Sequence, residues 1–179
     1  MAEYVVFIRG VAPSTPPRNN ACIVPALQRH FPQVTSVLSS GNYLVEAEAS
    51  SPEAVETAVE AALQDELDTS LTTIARSVKQ VRHILDHNPL AGIPHGPGNY
   101  QLITFFKHPV TIDVPLPYQP EGKFFQVAGM VDGALFTLTD NTQVRTLKVM
   151  DWLERHFTSQ LTSRTPLTLG KILRQAQGI

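Results

Sequence analysis

The chain of 179 residues has little cysteine, little charge and no long apolar stretch. Its single cysteine, Cys22, excludes an internal disulfide and the cysteine-rich class of zinc sites. The formal net charge of −2 argues against electrostatically driven binding of nucleic acid. No apolar segment approaches the roughly 20 residues that span a bilayer, and the first residues lack the pattern of a secretory signal. We therefore expect a cytoplasmic protein with no nucleic-acid or membrane partner.

The first part of the chain alternates between patterns typical of strands and patterns typical of helices. The predicted elements are a strand at 4–9, a helix at 21–31, strands at 34–39 and 43–48, a helix at 51–67 and a strand at 71–76. The order strand, helix, strand, strand, helix, strand is that of the ferredoxin-like fold. The unbroken apolar run at 4–8 further predicts that the first strand lies in the middle of its sheet.

The second part of the chain follows the same order with one helix missing. The predicted elements are a helix from Ser77 to about His87, strands at 100–106, 123–131 and 134–138, a helix at 143–158, an extended piece at 160–164 and a helix at 166–175. Residues 108–122 contain four prolines at the place of the first helix, so we expect a loop there.

Together the two parts predict an α+β fold made of duplicated ferredoxin-like (βαββαβ) halves, the second of them degenerate. The predicted boundaries are a ferredoxin-like subdomain at 1–76, a linking helix and loop at 77–99, and a second subdomain with a C-terminal helix at 100–179. The matching landmarks are two hairpin signals, Gly41-Asn42 and Asp132-Gly133. Gly41-Asn42 predicts a two-residue turn with a positive φ at the glycine.

Charge is distributed unevenly along the sequence. Residues 46–68 hold eight acidic residues and no lysine or arginine, whereas residues 140–179 hold six basic and three acidic residues. We interpret the acidic stretch as the solvated face of a helix, with an acidic docking surface as the alternative. We interpret the basic stretch as an ordinary soluble surface, with attraction of an anionic ligand or partner as the alternative.

Polar residues cluster where the first strand and the first hairpin end. Arg9 follows the strand, and an arginine offers five fixed donors that suit a carboxylate or a phosphate. Ser40 and Asn42 add a hydroxyl and an amide at a tight turn, a place where anions can bind. The structural alternatives are a surface ion pair for Arg9 and a turn chosen only for its backbone conformation.

The known chemical motifs are absent or incomplete. His83 and His87 are four residues apart on a predicted helix, but Asp86 between them points elsewhere, so we expect no metal site. Neither glycine-rich phosphate-binding signature is present, and the aromatic segment at 123–127 lacks the order of RNA-binding domains. We therefore expect no cofactor, and no catalytic residue can be assigned.

The order of several short motifs resembles the domain of unknown function 1697 family. That family typically begins with a strand ending Leu-Arg-Gly-Ile-Asn, followed about thirty residues later by Gln-Ser-Gly-Asn. This chain has Tyr-Val-Val-Phe-Ile-Arg-Gly at 4–10 and Ser-Gly-Asn at 40–42. A helix ending in Asn88-Pro89 and the segment Thr162-Ser163-Arg164 are also similar to family motifs.

The chain departs from the family pattern in two segments. The family's loop rich in glycine and lysine is here Val11 to Asn20, which is rich in proline and lacks lysine. The family's Asn-Trp-Asn is here Thr165-Pro166-Leu167. The resemblance implies an α+β fold of two ferredoxin-like halves and implies no activity.

These observations lead to two expectations for function. The first is a non-catalytic binding or regulatory module for a small anionic ligand or a protein partner, with Arg9, Ser40, Asn42 and Arg164 as its site. In that site the arginines pair with charge and the other two side chains form hydrogen bonds. The alternative is an enzyme acting on a small anionic substrate without a metal or nucleotide cofactor. The oligomeric state is left open by the sequence.

Overall fold

The computed structural model describes residues 1–143 and 145–178. In these residues the protein is α+β, with five helices and two four-stranded antiparallel sheets. The chain divides into two compact units, which are described separately: Met1–Arg82 with the segment from Gly170 onward, and His83–Leu169. Among the described residues, no helix has the length and apolar character needed to cross a membrane.

The first unit contains one sheet and the helices that connect its strands. Its strands are β1 (Ala2–Ile8), β2 (Gln33–Ser36), β3 (Asn42–Ala47) and β4 (Thr73–Ser77), and its helices are α1 (Asn20–Gln28), α2 (Pro52–Leu67) and the start of α3 (Val78–Asp86). The strand order is β2-β3-β1-β4. Strand β1 lies between β3 and β4 and is antiparallel to both, which confirms its predicted central position.

The core of the first unit forms between one face of the sheet and the helices. Alternate residues of β1, including Val6 and Ile8, pack with Ile23 and Leu27 of α1 and with Val59 of α2. All five of these side chains are buried. Burying them removes apolar surface from water, which stabilises the fold by about 25 cal/mol per Å². The helices therefore cover this face of the first sheet.

The connection between β2 and β3 differs from the predicted two-residue turn. Gly41 has the predicted positive φ, +76°, but β2 already ends at Ser36 and the loop is longer. The Asn42 amide explains this difference, because its Nδ2 donates to the carbonyl oxygen of Val37 and to Ser40 Oγ, both at 3.1 Å. These two bonds stabilise a loop that is longer than a two-residue turn.

The second unit contains the other sheet. Its strands are β5 (Tyr100–Phe106), β6 (Phe125–Val131), β7 (Ala134–Thr139) and β8 (Leu161–Arg164) in the order β6-β7-β5-β8, and its helix is α4 (Thr146–His156); α5 (Pro166–Ala176) follows. Helix α4 is shorter than the predicted 143–158, and Val144 of that prediction lies outside the described residues. Asp132 and Gly133 form the predicted hairpin turn, both with positive φ.

Residues 107–124 connect β5 to β6 without forming a helix or a strand. The loop is attached to the sheet at Tyr118, whose backbone N–H and carbonyl form two hydrogen bonds with Val127, 2.8 and 2.7 Å long. Ile112 and Leu116 pack against a core cluster that includes Phe106 and Leu153. The predicted loop is thus confirmed, and it is held against the sheet at defined points.

Candidate functional site

The backbone of the first unit brings the three predicted site residues Arg9, Ser40 and Asn42 to the same end of the sheet. Arg9 directly follows β1, and its N–H donates to the carbonyl of Thr72 at 2.9 Å. The Gly41 carbonyl accepts from the N–H of Ile8 at 2.9 Å, and a Cβ on Gly41 would lie 2.2 Å from the Ile8 carbonyl oxygen. Only glycine permits this approach, so the glycine places Ser40 and Asn42 beside the residue that precedes Arg9.

The side chains of Ser40 and Asn42 differ in exposure. Asn42 is fully buried, and both hydrogens of its Nδ2 have acceptors in the loop. Ser40 is exposed, and its hydroxyl is one of those acceptors. Asn42 therefore stabilises the loop that presents Ser40, and a role for either side chain in ligand binding stays a prediction.

Arg164 ends β8 and belongs to the second unit. One guanidinium nitrogen of this half-buried side chain donates to Thr162 Oγ1 at 2.7 Å and to the Ser163 carbonyl at 2.8 Å. These contacts lie within its own strand and fix the direction of the side chain. A site that Arg164 shares with Arg9 of the first unit stays a prediction.

Sequence reasoning missed a set of side chains on the edge of the first sheet. Strand β4 lies at that edge, and every second amide of the strand donates to a side-chain oxygen. Glu60 Oε1 accepts from the N–H of Thr73, Glu56 Oε1 from that of Ala75 and Gln80 Oε1 from that of Ser77, each at 2.9 Å. The third contact is half of a capping box, whose other half is a bond of 3.1 Å from the N–H of Gln80 to Ser77 Oγ.

Glu56 corrects the interpretation of the acidic stretch as a solvated face. Its side chain is only 4% exposed, and its Oε1 lies 3.6 Å from a guanidinium nitrogen of Arg76. Burial lowers the pKa of Arg76, and the carboxylates of Glu56 and Glu53 oppose that decrease. A buried carboxylate needs such partners, because an unpaired charge in the interior is costly. At this position the acidic residue is therefore part of the fold.

A pocket that the sequence analysis did not anticipate lies within the second unit. It has a volume of about 910 Å³ and two walls. The loop wall comprises the pocket-lining residues between Thr111 and Val127, and the helix wall comprises those between Lys148 and Phe157. The pocket thus lies between the proline-rich connection and α4.

Aromatic side chains form the apolar part of this pocket. The Trp152 ring stacks on the His156 ring with their centroids 4.0 Å apart. Phe125 meets Trp152 edge to face at 5.2 Å, and Phe157 does so at 6.1 Å. Tyr118 of the loop wall is half-buried in the same pocket. Trp152 is the only tryptophan in the chain, so its signals report on this pocket alone.

Charged side chains line the rest of the pocket. The helix wall carries Lys148, Asp151 and Arg155, and the loop wall carries Asp113, Glu121 and Lys123. All six are exposed, and none forms an ion pair with another described residue. The pocket therefore combines an aromatic interior with charged groups of both signs that a ligand could reach.

His83 and His87, the histidine pair considered as a metal site, lie next to each other in the structure. The rings of His83 and His87 lie 4.0 Å apart, and His83 Nε2 is 3.9 Å from Asp132 Oδ2. In the described part of the chain, no group of three histidine, cysteine, aspartate or glutamate side chains is arranged to hold a metal ion. Of the pair, His83 alone makes this long contact with the hairpin between β6 and β7.

Comparison with known proteins gives one match. A family model described as a protein of unknown function (DUF1697) matches residues 1–115. No curated protein and no solved structure matches the chain. The matched region includes Arg9, Ser40 and Asn42, and it ends before Arg164 and before most of the pocket. The C-terminal part of the family resemblance therefore stays a prediction.

Proposed function

We propose that this chain, which belongs to the DUF1697 family of proteins of unknown function, is a non-catalytic binding module that takes a small molecule into the pocket of its second unit. The observation that carries the proposal is an aromatic-walled cavity of about 910 Å³ beside Trp152. Small-molecule sites are concave, occupy roughly 300–1,000 Å³ and combine aromatic walls with a few polar groups. The pocket has each of these properties.

The ligand of such a pocket has a flat apolar body. Phe125 and Phe157 each meet Trp152 edge to face, an arrangement that leaves ring edges and faces to contact a planar molecule. Tyr118 closes the other side, and its two backbone bonds to Val127 hold it in place without the ligand. A wall held in advance lowers the entropy lost on binding.

A titration with a neutral planar probe, naphthalene-2-carboxamide, tests the proposal. The single indole N–H signal of Trp152 in a ¹⁵N–¹H correlation spectrum should shift saturably with probe concentration. Tyr118→Leu keeps the backbone bonds but removes a pocket ring, so it should weaken binding about threefold to tenfold, the range of one aromatic pair. Tyr100→Leu is the matched control, because Tyr100 is also half-buried but does not line the pocket.

The result that would defeat the binding proposal is an indole signal that does not move at any probe concentration. Equal losses of affinity for Tyr118→Leu and Tyr100→Leu would also contradict it, because the effect would then be a general one on the fold. Both variants should retain the far-ultraviolet circular dichroism of the parent chain.

The alternative function is an enzyme that acts on a small anionic substrate without a metal or nucleotide cofactor. His156 favours it, since an exposed imidazole in the wall of a pocket could transfer a proton. This alternative predicts release of 2-naphthol from 2-naphthyl phosphate, which His156→Gln would abolish. The binding module predicts no release by either protein.

An anion site at Arg9, Ser40, Asn42 and Arg164 is a separate proposal carried over from the sequence. The approach of Gly41 to Ile8 supports its first-unit part, because it puts the loop beside the residue before Arg9. Inorganic phosphate should then raise the melting temperature of the parent chain more than that of Arg9→Gln or Arg164→Gln. Equal shifts in all three proteins would contradict the site.

We also infer that the two units are the halves of a duplicated ferredoxin-like fold in a cytoplasmic protein. The strand orders β2-β3-β1-β4 and β6-β7-β5-β8 support the first part, because corresponding strands take the same places. An experimental structure tests the fold, and fractionation of cells producing the tagged chain tests the location. Recovery in the membrane fraction would contradict the cytoplasmic setting.

A further inference from the structure

We propose that the ligand of this pocket is an aromatic monocarboxylate whose ring lies at Trp152 and whose carboxylate lies at the helix wall. The inference rests on the proposed function, because it names the chemical class of the molecule that the pocket takes. It is carried by the positions of the charged side chains around the aromatic cluster.

Two cations flank Trp152 on the same face of α4. Lys148 is four residues before Trp152 and Arg155 three residues after it, spacings that place side chains one turn apart on one side of a helix. All three line the pocket. Neither cation forms an ion pair within the described residues. An acidic group on a ring held at Trp152 is therefore within one helical turn of two cationic side chains.

The two walls have opposite net charge. On the helix wall Lys148 and Arg155 outweigh Asp151, which leaves one net positive charge. On the loop wall Asp113 and Glu121 outweigh Lys123, which leaves one net negative charge. One anionic group is thus attracted to the helix wall, and a further negative charge would meet the acids of the loop wall. This difference selects a monocarboxylate over a dianionic phosphate.

The ranking of three matched probes tests the inference. The indole N–H signal of Trp152 gives the affinity for 2-naphthoate, naphthalene-2-carboxamide and 2-naphthylmethylammonium at low salt. We expect 2-naphthoate to bind about threefold to tenfold more tightly than the carboxamide, since each exposed charge pair contributes up to about fivefold. The ammonium probe should bind least tightly, and added salt should reduce the preference for naphthoate.

Exposed charged residues give variants that leave the fold intact. Lys148→Gln combined with Arg155→Gln should abolish the preference for naphthoate over the carboxamide. Asp151→Asn should strengthen naphthoate binding, because it removes the negative charge of the helix wall. Lys171→Gln, an exposed lysine of α5 outside the pocket, is the control and should change nothing.

The outcomes separate this inference from the proposed function. The monocarboxylate inference is overturned if naphthoate binds no more tightly than the carboxamide, or if the preference for naphthoate survives in the double variant. Binding of the carboxamide would still support the proposed binding function of the pocket. Tighter binding of 2-naphthyl phosphate than of naphthoate overturns it as well. An indole signal that responds to none of the probes defeats both proposals.

Discussion

The two units arrange four strands in corresponding orders but cover their sheets differently. In the first unit the connection between its first two strands includes α1, whose Ile23 and Leu27 are fully buried. In the second unit the corresponding connection, residues 107–124, has no helix, and a pocket of about 910 Å³ lies between it and α4. The same strand order therefore occurs with a helix packed on the sheet in one unit and with a loop that borders a pocket in the other.

Proline accounts for this difference in local terms. A proline inside a helix removes one backbone hydrogen bond and clashes with the preceding turn. Helix α1 tolerates one, Pro25, and Asn19 caps its first turn by accepting from the N–H of Cys22. Residues 107–124 contain four prolines spread over the segment, which leaves no stretch long enough for a stable helix. The pocket between this loop and α4 is thus related to the proline content of the loop.

The largest expected effect comes from truncating the layer that covers each sheet. Leu27→Ala should lower the free energy of unfolding by about 3 kcal/mol, because it leaves a cavity between α1 and the sheet. Leu116→Ala is the same change in the loop of the second unit, where the side chain is only partly buried, and should cost about 1 kcal/mol. Urea unfolding followed by circular dichroism measures both. Equal losses would show that the loop packs as tightly as α1.

The hairpin glycines give the next largest effect. Gly41→Ala should destabilise by about 2 kcal/mol or more, because the new Cβ adds a clash with the Ile8 carbonyl to the strain of a positive φ. Gly133 has a similar φ of +74° but nothing within 4 Å of an added Cβ, so Gly133→Ala should cost only about 1 kcal/mol. A comparison of denaturation midpoints measures this difference. Equal midpoints for Gly41→Ala and Gly133→Ala would contradict a close approach of Gly41 to the Ile8 carbonyl.

The smallest expected effect is a pH dependence confined to the first unit. Glu3 of β1 is directly opposite Glu46 of β3, and burial together with the Glu46 charge raises the pKa of Glu3. A raised folded-state pKa means that ionisation disfavours the folded state, so stability falls as pH rises through the glutamate range. Glu3→Gln should therefore add up to about 0.5 kcal/mol at pH 7 and nothing at pH 3.

The control for the pH experiment is Glu48→Gln, an exposed glutamate beyond the end of β3. In the second unit the pairing of β5 with β7 places Gln101 opposite Leu138, so no like-charge pair occurs at that register. Thermal melts at the two pH values provide the measurement. A stabilisation by Glu3→Gln that persists at pH 3 would assign the effect to packing and not to charge.

Most of the secondary structure could be predicted because its signals are local. An unbroken apolar run predicted β1 and periodic apolar residues predicted α2. Asp132-Gly133 predicted a turn that needs a positive φ at both positions. The turn at Gly41-Asn42 was placed correctly but its length was wrong. The hydrogen bonds that widen it come from the buried amide of Asn42, and turn statistics do not contain that contact.

The pocket could not be predicted because its residues are far apart in the sequence. Phe125 and Trp152 each fit the apolar pattern of a core, and only the fold brings their rings to 5.2 Å. The signal that could have located it was the proline-rich loop at the place of the first helix of the ferredoxin-like order, since a loop covers a sheet face less completely than a helix does. The predicted site at Arg9 came instead from polar residues at the ends of a strand and a hairpin and from motif order, and neither signal locates a cavity.

The capped amides of β4 affect which strands can pair while a chain with two sheets folds. Unpaired amides on an edge strand can recruit a strand from elsewhere, and sheets with corresponding strand orders are plausible wrong partners during folding. Glu60, Glu56 and Gln80 accept from these amides from within the same unit. The β4 edge of the first sheet is thereby closed to an added strand from elsewhere in the chain or from a second copy.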